Sequence, residues 1–218
     1  MLKIIKLNRI LINNKQKIFC VGFNKTGTTS LEMALGNLGF TLGNQGKGEL
    51  LFSNWRVRNF DEIIKLSKTA DVFQDIPFSL PFTFQTMDIN FPHAKFILTI
   101  RDTPEQWFQS LTTFHSKIIN GNSHLPTTAE LKNYSYHYSG FIWDILECIF
   151  NADEELPYDE KKYIDCYNQH NTAVIEYFKN KPGKLLVLNV SDVNSMQKLY
   201  EFLNIQWNGE IMPHLNKT

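Results

Sequence analysis

Cysteine is scarce in this chain: Cys20, Cys148 and Cys166 form an odd set without C-x-x-C spacing. That pattern argues against a disulfide framework and against a zinc knuckle. Net charge is missing as well, with 22 Lys and Arg against 22 Asp and Glu. Nothing therefore suggests a broad electrostatic grip on nucleic acid or on an anionic membrane, and any anion site must be local. No run approaches the ~20 apolar residues needed to span a bilayer. The stretch from Met1 to Leu11 mixes apolar residues with Lys3, Lys6 and Arg9, and lacks both the unbroken apolar core and the small-residue cleavage site of a secretory leader. The expectation is a reduced, cytoplasmic protein. The six histidines are scattered with no spacing that suggests a metal cluster, so no metal is expected.

What is present is a globular composition, 43% hydrophobic, over 218 residues. That length fits one domain with a sizeable core. We expect a single domain over residues 1–218, its core starting at about residue 17 and residues 1–16 forming an N-terminal extension. Short apolar runs at Lys17 to Val21, Asp71 to Gln74, Lys95 to Ile100 and Leu185 to Val190 read as buried strands. Helical periodicity marks Asp61 to Leu66, the stretch after Pro104, Ala129 to Phe150, Tyr158 to Phe178 and Ser195 to Leu203, and Asn180 to Gly183 reads as a stop. The polar, glycine-bearing stretch Gly43 to Asn59 reads as a mobile loop. Alternation of this kind predicts an α/β fold of three layers, α/β/α, with a mainly parallel central sheet and a ligand at the carboxyl ends of its strands.

The segment Phe19 to Leu31 is the most informative. An apolar strand runs into a loop bracketed by Gly22 and Gly27, and a helical pattern through Leu31, Ala34, Leu35 and Leu38 follows. Backbone N–H groups at a helix start lack intrahelical partners and sit at the positive end of the peptide dipoles, so they hold an anion well. A nucleotide triphosphatase loop carries its lysine after the second glycine, next to a hydroxyl for magnesium. Here Thr28 follows Gly27, and Lys25 lies inside the loop. That placement suits a phosphate-linked group without the usual magnesium dependence.

Phe23-Asn24-Lys25-Thr26-Gly27-Thr28-Thr29-Ser30-Leu31 resembles the 5′-phosphosulfate loop of sulfotransferases that use 3′-phosphoadenylyl sulfate (PAPS) as donor and release 3′-phosphoadenosine 5′-phosphate (PAP). A second stretch, Ala94 to Ser110, resembles the strand, Arg-Asp turn and serine-bearing helix with which that family binds the 3′-phosphate. The resemblance runs from about Lys17 to the final residues. It implies a P-loop-containing sulfotransferase-like fold and sulfuryl transfer to a hydroxyl, less readily an amine, of a small-molecule or glycan acceptor. It implies donor binding by Asn24, Lys25, Thr26, Gly27, Thr28, Thr29, Ser30, Arg101 and Ser110, and it leaves a homodimer open. Lys25 would stabilise the leaving oxygen.

For the base, Asp75 in Gln74-Asp75-Ile76-Pro77 stands where many family members carry a histidine. A carboxylate can take a hydroxyl proton if burial raises its pKa. His115 and His170 compete for the role. The chain departs from the family pattern in places: Thr103 lengthens the Arg101 to Ser110 spacing by one residue, so either Thr103 or Ser110 could complete the phosphate site. Ser30 stands where animal cytosolic members have an adenine-stacking tryptophan, for which Trp55 is a substitute candidate. The late Arg-Lys-Gly loop is missing, and Pro213-His214-Leu215-Asn216 resembles the ending of other branches, which places the chain nearer the compact, bacterial-type branch. Tyr134, Tyr136, Tyr138, Phe141 and Trp143 either roof an acceptor pocket or pack helices together. Two other function classes stay open: a P-loop nucleotide kinase, and a catalytically silent nucleotide-binding relative that acts as an interaction module.

Overall fold

In the computed structural model, residues 16–213 are described; the proposed extension at 1–16, apart from its last residue, and the 214–216 part of the family-like ending lie outside them. The chain divides into two compact units, one of residues 16–101 with 173–213 and the other of residues 102–172.

The first unit is α/β. Its strands are β1 (Ile18–Cys20), β2 (Val72–Phe73), β3 (Lys95–Ile100) and β4 (Leu185–Asn189), all parallel in the order β2-β1-β3-β4. Phe19 pairs with Phe73 on one side and Phe96 on the other, and Ile100 aligns with Asn189. Because successive side chains on a strand face opposite ways, β1 feeds two cores. Phe19 points to one and stacks within about 6 Å of Phe73, Phe78 and Phe96, while Phe178 closes on Phe96 at 4.5 Å. Ile18 and Cys20 point to the other, under Leu31, Ala34 and Leu35 of α1 (Thr28–Asn37). The same core takes Met196 and Leu199 from a late helix, Ser195–Phe202. Helices therefore flank the sheet on both faces.

Connections leave β1 toward β2 and then cross it to β3, so the order reverses between β1 and β3. In open α/β sheets a crevice forms at that point, outside the carboxyl ends of the strands. The phosphate-type loop leaves β1 there, and Arg101 directly follows β3.

Three sequence expectations need correction. Gly43 to Asn59 is not an irregular loop but holds α2 (Gln45–Glu49) and α3 (Phe52–Arg56), whose five-residue lengths give no readable periodicity. After α4 (Asp61–Ser67) and β2, a further helix, α5 (Thr83–Asn90), was not anticipated. Its Asp88 carboxylate is clamped by Lys181 and Lys184, each at 2.6 Å, and by the Tyr177 hydroxyl at 3.2 Å.

The second unit is helical. α6 (Pro104–Asn120) begins with Pro104 at its first turn and Thr103 as cap, its hydroxyl accepting from Gln106 N at 3.2 Å. The third correction is here: Ala129 to Phe150 is two helices, α7 (Thr128–Asn133) and α8 (Phe141–Phe150), parted by a turn closing at Gly140 with φ 85°. The residues of α9 (Glu160–Phe178) up to 172 complete the unit. Its core is aromatic: Trp107 stacks on Tyr167 at 4.6 Å, and Phe150 on Tyr163 at 4.3 Å. Of the candidate aromatic roof, Phe141 and Trp143 are buried in packing, while Tyr136 and Tyr138 are exposed around Phe141. The chain then returns through β4 to α10, the late helix over Ser195–Phe202.

Gly22 shows how tightly the crevice is built. A Cβ there would sit 2.3 Å from the Thr99 carbonyl oxygen and 2.7 Å from its nitrogen, so β3's backbone would have to move. Gly183, by contrast, has φ 73° and open space around it. We expect Gly22→Ala to cost about 3 kcal/mol or more and Gly183→Ala only about 1–2 kcal/mol of backbone strain. Urea unfolding of both variants checks this, and equal losses would contradict the packing argument.

Candidate active site

The loop between β1 and α1 is held by β3. Val21 N donates to Ile97 O at 2.8 Å. The buried Thr26 hydroxyl donates to Phe23 O at 2.5 Å and meets the Thr99 hydroxyl at 2.6 Å. Arg101 Nε donates to the Lys25 carbonyl at 2.7 Å. These ties keep Lys25 left-handed, φ 68°, in a conformation that costs a non-glycine residue about 1–2 kcal/mol. Such strain persists only where the surrounding structure holds it in place. Gly27 is also left-handed, φ 94°, and a Cβ on it would lie 2.2 Å from Val190 Cγ2, so only glycine fits.

Gly27 caps α1 without any side-chain hydrogen bond, and the first turn of the helix has no acidic residue. The helices at Pro104 and Thr128 are each capped by a threonine hydroxyl. α1 thus presents its amino end and the positive pole of its dipole to the crevice. Thr29 is exposed there, whereas Thr28 and Ser30 are buried. The Thr26 side chain is a structural tie, which leaves its backbone as the part able to face a ligand.

Asp75 leaves β2 on the same side of the sheet. It too is left-handed, φ 53°, just before the cis Ile76–Pro77 bond. Its Oδ1 is buried without a hydrogen-bond partner among the described residues, as is Oε1 of neighbouring Gln74. Burial pushes the Asp75 carboxyl up to about 6, and the Glu49 and Glu32 charges push the same way; the Lys25 ammonium and a hydrogen bond from Thr28 oppose them. An acid so placed is part ionised near neutrality, as a general base requires. A cation and a carboxylate, each on a left-handed residue, therefore act on one another beside a helix terminus that has no side-chain cap.

Of the sequence candidates, the structure brings residues 24–30, Asp75 and Arg101 into the first unit, at the carboxyl ends of β1, β2 and β3. Ser110 and His115 belong to the second unit and are buried on α6. His115 Nδ1 lies 3.0 Å from the Tyr158 hydroxyl, and His170 is buried on α9. Thr103 is engaged as a helix cap. Trp55 is not open to a nucleobase: the residue is 3% exposed, its Nε1 donates to Pro81 O, and the Arg58 guanidinium covers its ring at 4.3 Å. Glu32, Glu49 and Gln74 were not anticipated. Glu32 had a signal, since it stands one helical turn after Thr28; Glu49 had none. Among the described residues, no group of three His, Cys, Asp or Glu could hold a metal ion.

The upward shift of Asp75 has a consequence for stability. Between its ordinary value of 3.8 and about 6 the folded chain keeps a proton that the unfolded chain has released, so stability falls as pH rises through that window. Above it, the ionised carboxylate costs about 1–3 kcal/mol. Asp75→Asn is expected to be more stable than wild type at pH 8 by about that amount, with the gap closing at pH 4. Urea unfolding at both pH values measures it, and a gap independent of pH would refute the assignment.

A search of curated proteins returned no match. The family model described as "Sulfotransferase domain", however, matches residues 17–218. That span takes in the β1 loop, the Asp75 turn and Arg101, and the chain belongs to the sulfotransferase domain family.

Proposed function

We propose that the protein transfers a sulfuryl group from PAPS to a hydroxyl, less readily an amine, of a small-molecule or glycan acceptor. The observation that carries this reading is the pairing of Lys25 and Asp75, each held in a left-handed conformation, at the open amino end of α1. The family membership speaks against the nucleotide kinase alternative. Three free cysteines support a reducing, cytoplasmic setting, and no helix among the described residues is long and apolar enough to cross a membrane.

In this reading the amino end of α1 and the backbone of residues 24–28 cradle the 5′-phosphosulfate. Arg101 offers its terminal nitrogens to the 3′-phosphate while its Nε holds the loop. Asp75 accepts the proton of the acceptor hydroxyl as the acceptor oxygen bonds to sulfur. The bond from sulfur to the bridging oxygen breaks in line, and the electron pair leaves on PAP. Lys25 and the α1 N–H groups stabilise that charge. One proton moves to Asp75, and no redox partner is needed.

Lys25→Ala is expected to lower the transfer rate by about 10²–10³-fold or more, followed as PAP release from PAPS over a panel of phenol, alcohol and saccharide acceptors. Wild-type chain that binds PAP yet turns over none of the panel would favour the catalytically silent alternative. Arg101→Lys keeps the charge but loses the planar fork, so PAP affinity in calorimetric titration is expected to drop about tenfold or more. An unchanged affinity would remove Arg101 from the 3′-phosphate.

A further inference from the structure

Asp75 is not alone at the exit of β2. The short helix Gln45–Glu49 lies directly against the turn that carries it: a Cβ on Gly48 would be 3.0 Å from the Ile76 carbonyl oxygen and 3.6 Å from Pro77 Cδ. Glycine at 48 lets the helix backbone come this close, and the next residue, Glu49, is buried as a result. Its Oε1 accepts a hydrogen bond from Gln45 Nε2 at 2.8 Å within the same helix. A second carboxylate, buried in the protein, is thus close enough for its charge to act on Asp75.

We propose that Glu49 is a positioning residue for the base: a buried carboxylate, set in place by the contact of Gly48 with the Asp75–Ile76–Pro77 turn, that keeps Asp75 a strong proton acceptor by like-charge repulsion. The proposal rests on the reading of Asp75 as the base. The charged and titratable groups around Asp75 are few. Lys25 faces it from the β1 loop and opposes Glu49, and Glu32 faces it from α1 and acts with Glu49. Cys20 approaches from β1, but its thiol is driven far above the ordinary range by burial and stays neutral. Thr28 contributes a neutral hydrogen bond.

Each of the two glutamates has an internal partner, Gln45 for Glu49 and Gln74 for Glu32. The Gln74 amide donates to Glu32, and burial raises its carboxyl, so its charge fades as pH falls. Glu49 ranks ahead of Glu32 among the charges that act on Asp75. Two carboxylates forced together cannot both ionise easily, and the one that holds its proton longer is the better base near neutrality. Glu49 touches no reacting atom in this scheme; it acts through Asp75.

Glu49→Gln keeps shape and burial while removing the charge. In the full chain with ¹³C-labelled carboxyl groups, the NMR titration midpoint of Asp75 is expected to fall by about one pH unit in this variant, and the acid limb of kcat/KM to move down equally. PAP affinity and KM for the donor should stay at wild-type values. Glu49→Asp, which restores a carboxylate, should bring the midpoint back toward wild type; a merely structural role for Glu49 would not produce that rescue. A fixed Asp75 midpoint in Glu49→Gln overturns the proposal. If that variant does not fold, Glu49→Met, also uncharged and of similar length, repeats the measurement, and an Asp75 midpoint fixed at the wild-type value overturns the proposal. A shifted midpoint with an unshifted rate profile instead removes Asp75 as base and leaves the coupling standing, so the two failures are told apart.

Discussion

The grip of β3 on the loop between Gly22 and Gly27 is the constraint on which the site depends. The Thr26–Thr99 hydroxyl pair and the Arg101 bond to the Lys25 carbonyl tie this loop to β3 while Lys25 is held in the left-handed region. The glycines at the two ends of the loop are the other half of that constraint, because each lets backbone meet a neighbour at distances no side chain permits. A sheet whose order reverses between β1 and β3 supplies the space, and the buried cores on both faces supply the rigidity. Arg101 shapes the loop, and in the proposed function it also brings a cation to the donor.

Charge is arranged locally in a chain whose total charge is zero. Lys25 follows β1 just before the amino end of α1, where an anion is favoured, and Arg101 follows β3 and bonds to the Lys25 carbonyl. Asp75, Glu49 and Glu32 gather by the exit of β2. Cation and carboxylate thus act on one another at the carboxyl ends of β1 and β2; in the proposed function the first holds the donor and the second takes up a proton. The left-handed backbone at Asp75 and the desolvation of its carboxylate both weigh against stability.

Much of this was legible in the sequence. The four strands were readable because each is a short apolar run bounded by turn residues, and the β1 loop because glycines at 22 and 27 bracket a lysine before a helical pattern. The residues read as site candidates from that loop, from Asp75 and from Arg101 do gather at one end of the sheet. What sequence could not carry was anything made by tertiary approach. Glu49 lies in a five-residue helix whose only mark is its contact with a turn some 30 residues away in the chain. The break between Asn133 and Phe141 was hidden because Tyr134 to Tyr138 continue an aromatic pattern that helix and turn can both accept. Trp55 failed as a stacking candidate because an exposed and a buried tryptophan look alike in a sequence; here Arg58 and Pro81 had already claimed its face and its nitrogen.

The placement of β4 bears on how the polypeptide acquires this architecture as it leaves the ribosome. β3 ends at Ile100, yet its outer neighbour begins only at Leu185. At ~5–20 residues per second the open edge of β3 stays without its partner for on the order of ten seconds, while the intervening helices emerge and can form on their own local contacts. During that interval the edge is exposed to rival strands, and the nascent chain is most open to chaperone capture or mispairing.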